Sequence, residues 1–260
     1  HLPAVTNTGA AELDQDAALL RASVTDAGGE PPVVVFHYWL TTEATTNSLS
    51  AGPQGGPCSV RPGGLLAGSN YSYRASASNS AGVVWSGARE FTTLSGTLRY
   101  VAPGGSDAAD GTTWATAWLT MSNAAAQAPE GAIVLVSNST YTVPAPVQVT
   151  NGITFRGFGG PANTAVRCAG NFAVSMNHSN AVLFDVSLRN GYRGVQLYNG
   201  VVTNCWIVNN TGDGWGGGVD MFGGTVVDCV VSSNAVTGAG AAWTCGGGVH
   251  MLGGSVINCV

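Results

Sequence analysis

The segment Gly218-Val219-Asp220-Met221-Phe222-Gly223-Gly224-Thr225-Val226-Val227-Asp228-Cys229-Val230 returns as Gly248-Val249-His250-Met251-Leu252-Gly253-Gly254-Ser255-Val256-Ile257-Asn258-Cys259-Val260, displaced by 30 residues. Going backwards, Gly194-Val195-Gln196-Leu197 and Val201-Val202-Thr203-Asn204-Cys205 fit the same frame at a displacement of 24, and Leu183-Phe184-Asp185-Val186 fits at 19. A constant frame with unequal spacers implies coils that share a core and differ in their loops. Such repeats bury their apolar faces by stacking on one another. Equivalent residues then lie one strand spacing apart, about 4.8 Å, so like residues form columns.

Composition agrees with short strands and tight turns: 38 Gly and 11 Pro accompany only 9% charged residues, against about 25% in an average chain. Strand-like runs with turn signals between them fill the first part, at Ala18–Val24, Val33–Leu40, Cys58–Val60, Tyr71–Ser78 and Val83–Thr92. Regular spacing of this kind predicts a sandwich. In Leu65-Leu66-Ala67-Gly68-Ser69-Asn70-Tyr71-Ser72-Tyr73-Arg74, a Leu and a turn Gly precede a Tyr that opens a strand, which resembles a tyrosine corner. Ala77-Ser78-Asn79-Ser80-Ala81-Gly82, Trp85-Ser86 and Glu90-Phe91-Thr92-Thr93 are similar to the last hairpin of fibronectin type III domains. That resemblance implies a spacer or a binding accessory.

Further on come Tyr100-Val101-Ala102-Pro103-Gly104-Gly105-Ser106-Asp107, Asp110-Gly111 and Trp114-Ala115-Thr116-Ala117-Trp118. A short helical stretch at Thr120–Ala128 then leads to Gly131-Ala132-Ile133-Val134-Leu135-Val136 and Thr140-Tyr141-Thr142. This resembles the N-terminal cap and first coil of pectate-lyase-like right-handed parallel β-helix proteins. The coils from Gly194 onward resemble the Gly-Gly-rich repeats of bacterial surface β-helix proteins and adhesins. The expected fold is therefore all-β: an immunoglobulin-like (fibronectin type III) sandwich over residues 1–95, then a right-handed parallel β-helix with a short capping helix over 96–260.

The asparagine ladder of such folds implies a turn at Asp185, Asn204, Asp228 and Asn258. Strand alternation then places Val202, Cys205 and Ile207 inside and Trp206 outside. Cys205, Cys229 and Cys259 form one column. Separations of about 4.4–6.8 Å between Cα atoms suit a disulfide, so this column is either bridged or a ladder of buried thiols behaving as small hydrophobes. Trp206 shares a column with Val230 and Val260. It is a candidate for stacking on a sugar ring, or else it is covered by the sandwich or another chain.

All nine basic residues are Arg and the net charge is -5, so the chain offers no basic footprint for nucleic acid. Apolar runs such as Pro32–Phe36 and Ala132–Val136 fall far short of the roughly 20 residues a membrane helix needs. Six cysteines without metal-binding spacing permit disulfides in an oxidising compartment. The sequons at Asn70, Asn138, Asn177 and Asn209 are candidate glycosylation sites in a eukaryotic secretory route. A secreted or cell-surface location follows as the expectation.

Lyases of the β-helix fold need acidic residues for calcium and an Arg or Lys base, and glycosidases need paired carboxylates. From Asp185 onward the acids are Asp185, Asp213, Asp220 and Asp228. Asp185 and Asp228 belong to the turn column. Asp220 and His250 are equivalent in the repeat, with Gln196 one coil away. They read as an exposed polar ladder, although a neighbouring Asp and His could bind a metal or pass a proton. Arg189 and Arg193 could serve as a lyase base, but no acidic cluster faces them in this frame. Asp107 and Asp110 read as turn formers, with calcium ligation the alternative.

No catalytic, metal or cofactor site is expected. The resulting expectation is a non-enzymatic structural or adhesive protein. The chain stops at Val260, directly after Asn258-Cys259. An open last coil would be a template for a strand, so the expected partner is another copy, head to tail, or further coils of the same chain. The alternatives are a carbohydrate-active enzyme, a polysaccharide lyase or glycoside hydrolase, and a glycan-binding module that takes polysaccharide.

Overall fold

The structure is a computed structural model that describes residues 1–213, 215–237 and 246–260. Of the six cysteines, Cys245 lies outside the described residues. The chain combines antiparallel, sandwich-like sheets with parallel, solenoid-like sheets and one short helix, and it divides into two compact units, His1–Ser95 and Gly96–Val260.

In the first unit Ala4–Ala11, Leu19–Asp26 and Pro57–Val60 form an antiparallel sheet. A second antiparallel sheet runs Asn47–Pro53, Val33–Leu40, Asn70–Asn79, Gly82–Trp85, with Arg89–Thr92 also paired to Asn70–Asn79. Alternating residues from both sheets, among them Leu20, Phe36, Tyr73 and Phe91, fill the core. The Tyr71 hydroxyl accepts the Leu66 N–H at 2.9 Å, the contact of a tyrosine corner. The expected run Val83–Thr92 is two strands, broken at Ser86-Gly87-Ala88. Ala4–Ala11 and Asn47–Pro53 escape the sequence reading for a physical reason. Each is an edge strand with one neighbour, so its Thr, Asn and Ser content carries little apolar alternation.

The second unit begins with Leu98–Val101, which pairs in parallel with Ile133–Val136. Between them the helix Met121–Gln127 buries Met121, Ala124 and Ala125. The Thr120 hydroxyl accepts the Asn123 N–H as its N-cap. Thereafter the chain repeats three parallel segments per coil. One face stacks Val147–Val149, 172–177, 193–197, Val219–Met221 and Val249–Met251. The next stacks Thr154–Gly157, 182–184, 201–203, Thr225–Val227 and Ser255–Ile257. The third stacks Ser139–Val143, Thr164–Cys168, Ser187–Arg189, Trp206–Val208 and Val230–Ser232. Val202, Cys205 and Ile207 are fully buried, whereas Trp206 is 38% exposed.

The corners repeat as well as the strands. Asp185, Asn204, Asp228 and Asn258 all have φ between 48° and 59°, a left-handed conformation that Asn and Asp tolerate best among residues with a Cβ. Gly200, Gly224 and Gly254 take the preceding corner, also at positive φ. A Cβ on Gly224 would meet the Gly200 carbonyl at 2.6 Å, and one on Gly254 would meet the Gly224 carbonyl at 2.5 Å. Backbone from the neighbouring coil thus fixes the glycine of the repeated Gly-Gly pair.

A second amide ladder runs inside. Asn210 is 1% exposed; its Nδ2 donates to the Leu188 carbonyl at 2.8 Å and to Asn234 Oδ1 at 3.1 Å, while its Oδ1 accepts the Gly191 N–H at 3.1 Å. Asn234 Nδ2 donates in turn to the Ile207 carbonyl at 2.6 Å. Three coils are joined through these two amides. Asn210→Ala is expected to lower unfolding free energy by about 1–3 kcal/mol, because it strands buried backbone groups. Asn210→Asp, which keeps the shape but loses the donors, should cost at least as much in urea titrations. An unchanged midpoint for both variants would contradict the ladder's role.

Candidate functional site

Asp220 and His250 are direct neighbours across the stacked face, as the repeat frame expects. Their environment corrects the sequence reading, for the pair is not a solvent-facing ladder. Asp220 Oδ1 and His250 Nδ1 are 2.7 Å apart, and the side chains are 4% and 12% exposed. The repeat frame reaches only strands, whereas the cover comes from a loop. Trp215 sets its ring 5.0 Å from the imidazole, and the Gly216 backbone lies against Val219 and His250. Gln196 occupies the next position, paired with Asp220 on one side and Ser175 on the other. Chemically this is an oriented imidazole: a carboxylate fixes Nδ1 and leaves Nε2 as the remaining polar atom.

Arg193, Asp213, Asp185 and Arg156 are committed to one another and to neighbouring groups. Arg193 pairs with Asp213 through both its carboxylate and its carbonyl. The guanidinium also lies 5.0 Å over the Phe172 ring and 5.2 Å over that of Tyr192. Asp213 thus faces Arg193, which the repeat frame did not place. Arg189 sits half-buried at the end of the third face. Asp185 takes Arg156 at 3.5 Å and the Asn204 amide at 2.5 Å. Burial pushes the Asp185 carboxyl up and the Arg156 guanidinium down, so desolvation outweighs their mutual attraction at both groups.

Asp107 and Asp110 have separate local duties. The Asp107 carboxylate accepts the Leu119 and Thr120 N–H groups and the Thr120 hydroxyl, all at 2.8–2.9 Å. Asp110 accepts the N–H and hydroxyl of Thr112, and hydrogen bonding from the Thr112 backbone, then from the Thr116 and Thr112 side chains, lowers its pKa to about 2. Both lie at a cleft of about 460 Å³ with Arg99 and Trp118. Among the described residues no group of three or more His, Cys, Asp or Glu is placed to hold a metal ion, and no helix is long and apolar enough to cross a membrane.

Cys205 and Cys229 are buried free thiols, with the Cys205 N–H donating to Cys229 Sγ at 3.4 Å, and Cys259 is half-buried in the same column. Burial pushes the Cys205 thiol well up, which keeps it protonated. The sequon residues Asn70, Asn138, Asn177 and Asn209 are all exposed. Sequence reasoning missed a stacked pair at the end of the first face: the Tyr198 and Phe222 rings lie 4.9 Å apart at 11°, both exposed. The repeat frame carried this signal, since the two residues follow the equivalent Leu197 and Met221.

No family model matches the chain, and no curated protein matches it. Solved structures give partial matches. One described as a myokine is 14% identical, covering 36% of this chain and 100% of its own, with a TM-score of 0.32. The sensor domain of the anti-sigma factor RsgI4 in Pseudobacteroides cellulosolvens is 16% identical, covering 36% of this chain and 76% of its own, TM-score 0.30. A fibronectin type III domain of human collagen XX is 16% identical, covering 35% and 90%, TM-score 0.30.

Asp220→Ala leaves the His250 imidazole without its partner under Trp215. A loss of about 1–3 kcal/mol in stability is expected, by chemical denaturation of the whole chain. A change within ±0.3 kcal/mol would restore the exposed-ladder reading, since surface substitutions usually fall within about 0.5 kcal/mol.

Proposed function

We propose that the chain is a non-enzymatic extracellular structural or adhesive protein: a fibronectin type III-like sandwich over residues 1–95 and a right-handed β-helix of the pectate-lyase-like type over residues 96–260. One observation carries this reading. The polar side chains that could do chemistry join successive coils instead: Asp185 with Asn204, Asp228 with Asn258, Asn210 with Asn234, and Asp220 with His250. Such ties suit a rod that bears load. The coil edge at Val249–Met251 and Ser255–Ile257 exposes Met251, Leu252, Val256 and Ile257. In this reading it is covered by further coils or, head to tail, by a second copy, a contact that propagates as a fibre. The cysteine column stays a thiol ladder, the four sequons are available to glycosylation in a eukaryotic secretory route, and Trp206 offers a ring for sugar stacking.

A second reading, a carbohydrate-active enzyme, is favoured only by the oriented His250 with Trp215 beside it. Two measurements separate them. Light scattering and electron microscopy on the 260-residue chain should show concentration-dependent, end-to-end association. Reducing-end and unsaturated-product assays on plant, algal and bacterial polysaccharides should show no turnover. A dispersed monomer at micromolar concentration would remove the fibre. Turnover that falls about a hundredfold in a folded His250→Ala variant would establish the enzyme, since general acid-base groups contribute on that scale.

A further inference from the structure

The larger sheet of the sandwich carries a second constellation on its outer face. Along Val33–Leu40 the core takes Val34 and Phe36, which leaves His37 and Trp39 pointing the other way. Along Asn70–Asn79 it takes Tyr73 and Ala75, which leaves Arg74 outward, directly across from His37. Trp85 enters from Gly82–Trp85, opposite Ser76. The Arg74 guanidinium lies 4.1 Å from the centre of the Trp85 ring, and the His37 ring is 4.8 Å from the same ring. Trp85 is 48% exposed. Beside them opens a cleft of about 370 Å³ lined by Trp39, Glu43, Thr46, Arg74 and Ser86 among others.

Three properties narrow what this face can hold. Among the described residues no carboxylate lies within ion-pair distance of Arg74. Burial first, and then the Arg74 charge, hold His37 below its ordinary pKa, and Glu43 lines the same cleft without pairing with Arg74. A guanidinium stacked on an indole is held in a fixed plane, and its fork of N–H donors matches a carboxylate in two parallel bonds. Next to that fork, Trp39 in the cleft lining and the exposed Trp85 give apolar rings of the size of a pyranose, and Glu43 and Thr46 in the lining give acceptors for hydroxyls. A protein partner would need about 800 Å² on its side with an apolar centre, which a small charged cleft does not supply.

We propose that this face binds a carboxylated glycan, with a uronate carboxylate on Arg74 and the sugar ring against Trp39 or Trp85. The proposal rests on the adhesive reading above and names its ligand class. Because the chain is acidic overall, a polyanion gains nothing from general attraction, and retention must come from this local fork.

Affinity electrophoresis and calorimetry with the full chain would use polygalacturonate, dextran sulfate and unmodified dextran. Polygalacturonate should bind and unmodified dextran should not. Arg74→Gln should weaken polygalacturonate binding at least tenfold. Arg74→Lys keeps the charge but not the fork, and should weaken it severalfold. Arg167→Gln, at an exposed arginine of the other unit, should bind as the parent does. Circular dichroism would confirm that each variant is folded. Equal binding by folded Arg74→Gln and Arg74→Lys, or equal retention by unmodified dextran, would overturn the proposal. Retention by dextran sulfate alone would overturn the carboxylate assignment. A chain that associates end to end yet ignores polygalacturonate would defeat this inference and leave the structural reading standing.

Discussion

Parallel pairing between consecutive coils, residue for residue, is the constraint on which the second unit depends. Val195 sits on Val219 and that on Val249; Val202 sits on Val226 and that on Val256. Each side chain must therefore tolerate something very like itself one strand spacing away. For Val, Leu and Met inside, this is favourable, since stacking removes apolar surface from water on both sides. For charged residues it is not, because like charges directly opposite destabilise a sheet.

The polar columns obey that rule by alternation. Asp185, Asn204, Asp228 and Asn258 run acid, amide, acid, amide, so that the Asn204 amide donates to Asp185 and the Asn258 amide to Asp228. The outer column alternates too: Ser175, Gln196, Asp220 and His250 place no two acids together. Buried Asn210 and half-buried Asn234 need no alternation, because an amide both donates and accepts. The same logic explains the glycines. At the corner where backbone of one coil meets backbone of the next, only a residue without Cβ keeps the spacing, and Gly224 and Gly254 recur there.

This is also why so much of the second unit is legible in sequence. Columns translate a spatial rule into a displacement between residues. Cys205, Cys229 and Cys259, the positive-φ corner and the outward Trp206 follow from the frame. The frame says nothing of chain that leaves the columns. Trp215 and Gly216 lie in such a loop, and they convert Asp220 and His250 from surface groups into a covered pair. In the sandwich the difficulty is different. Edge strands such as Asn47–Pro53 bury little, so composition alone does not mark them, whereas Val33–Leu40 between two neighbours is marked along its whole length.

The contrast between the two kinds of sheet bears on where recognition is expected. In a solenoid the neighbour of a polar group is its own near copy, which usually completes its hydrogen bonds and leaves little to offer a ligand. In an antiparallel sheet the neighbour is unrelated in sequence, and alternation can bring Arg74, His37, Trp85 and Trp39 to one face, beside a cleft that Glu43 also lines, with no carboxylate within ion-pair distance of Arg74 among the described residues. Burial first, and then the Arg74 charge, lower the pKa of its histidine neighbour His37. A carboxylate on a ligand would give the Arg74 guanidinium a partner, whereas Asp185, Asp220 and Asp228 of the solenoid already have theirs within their own columns.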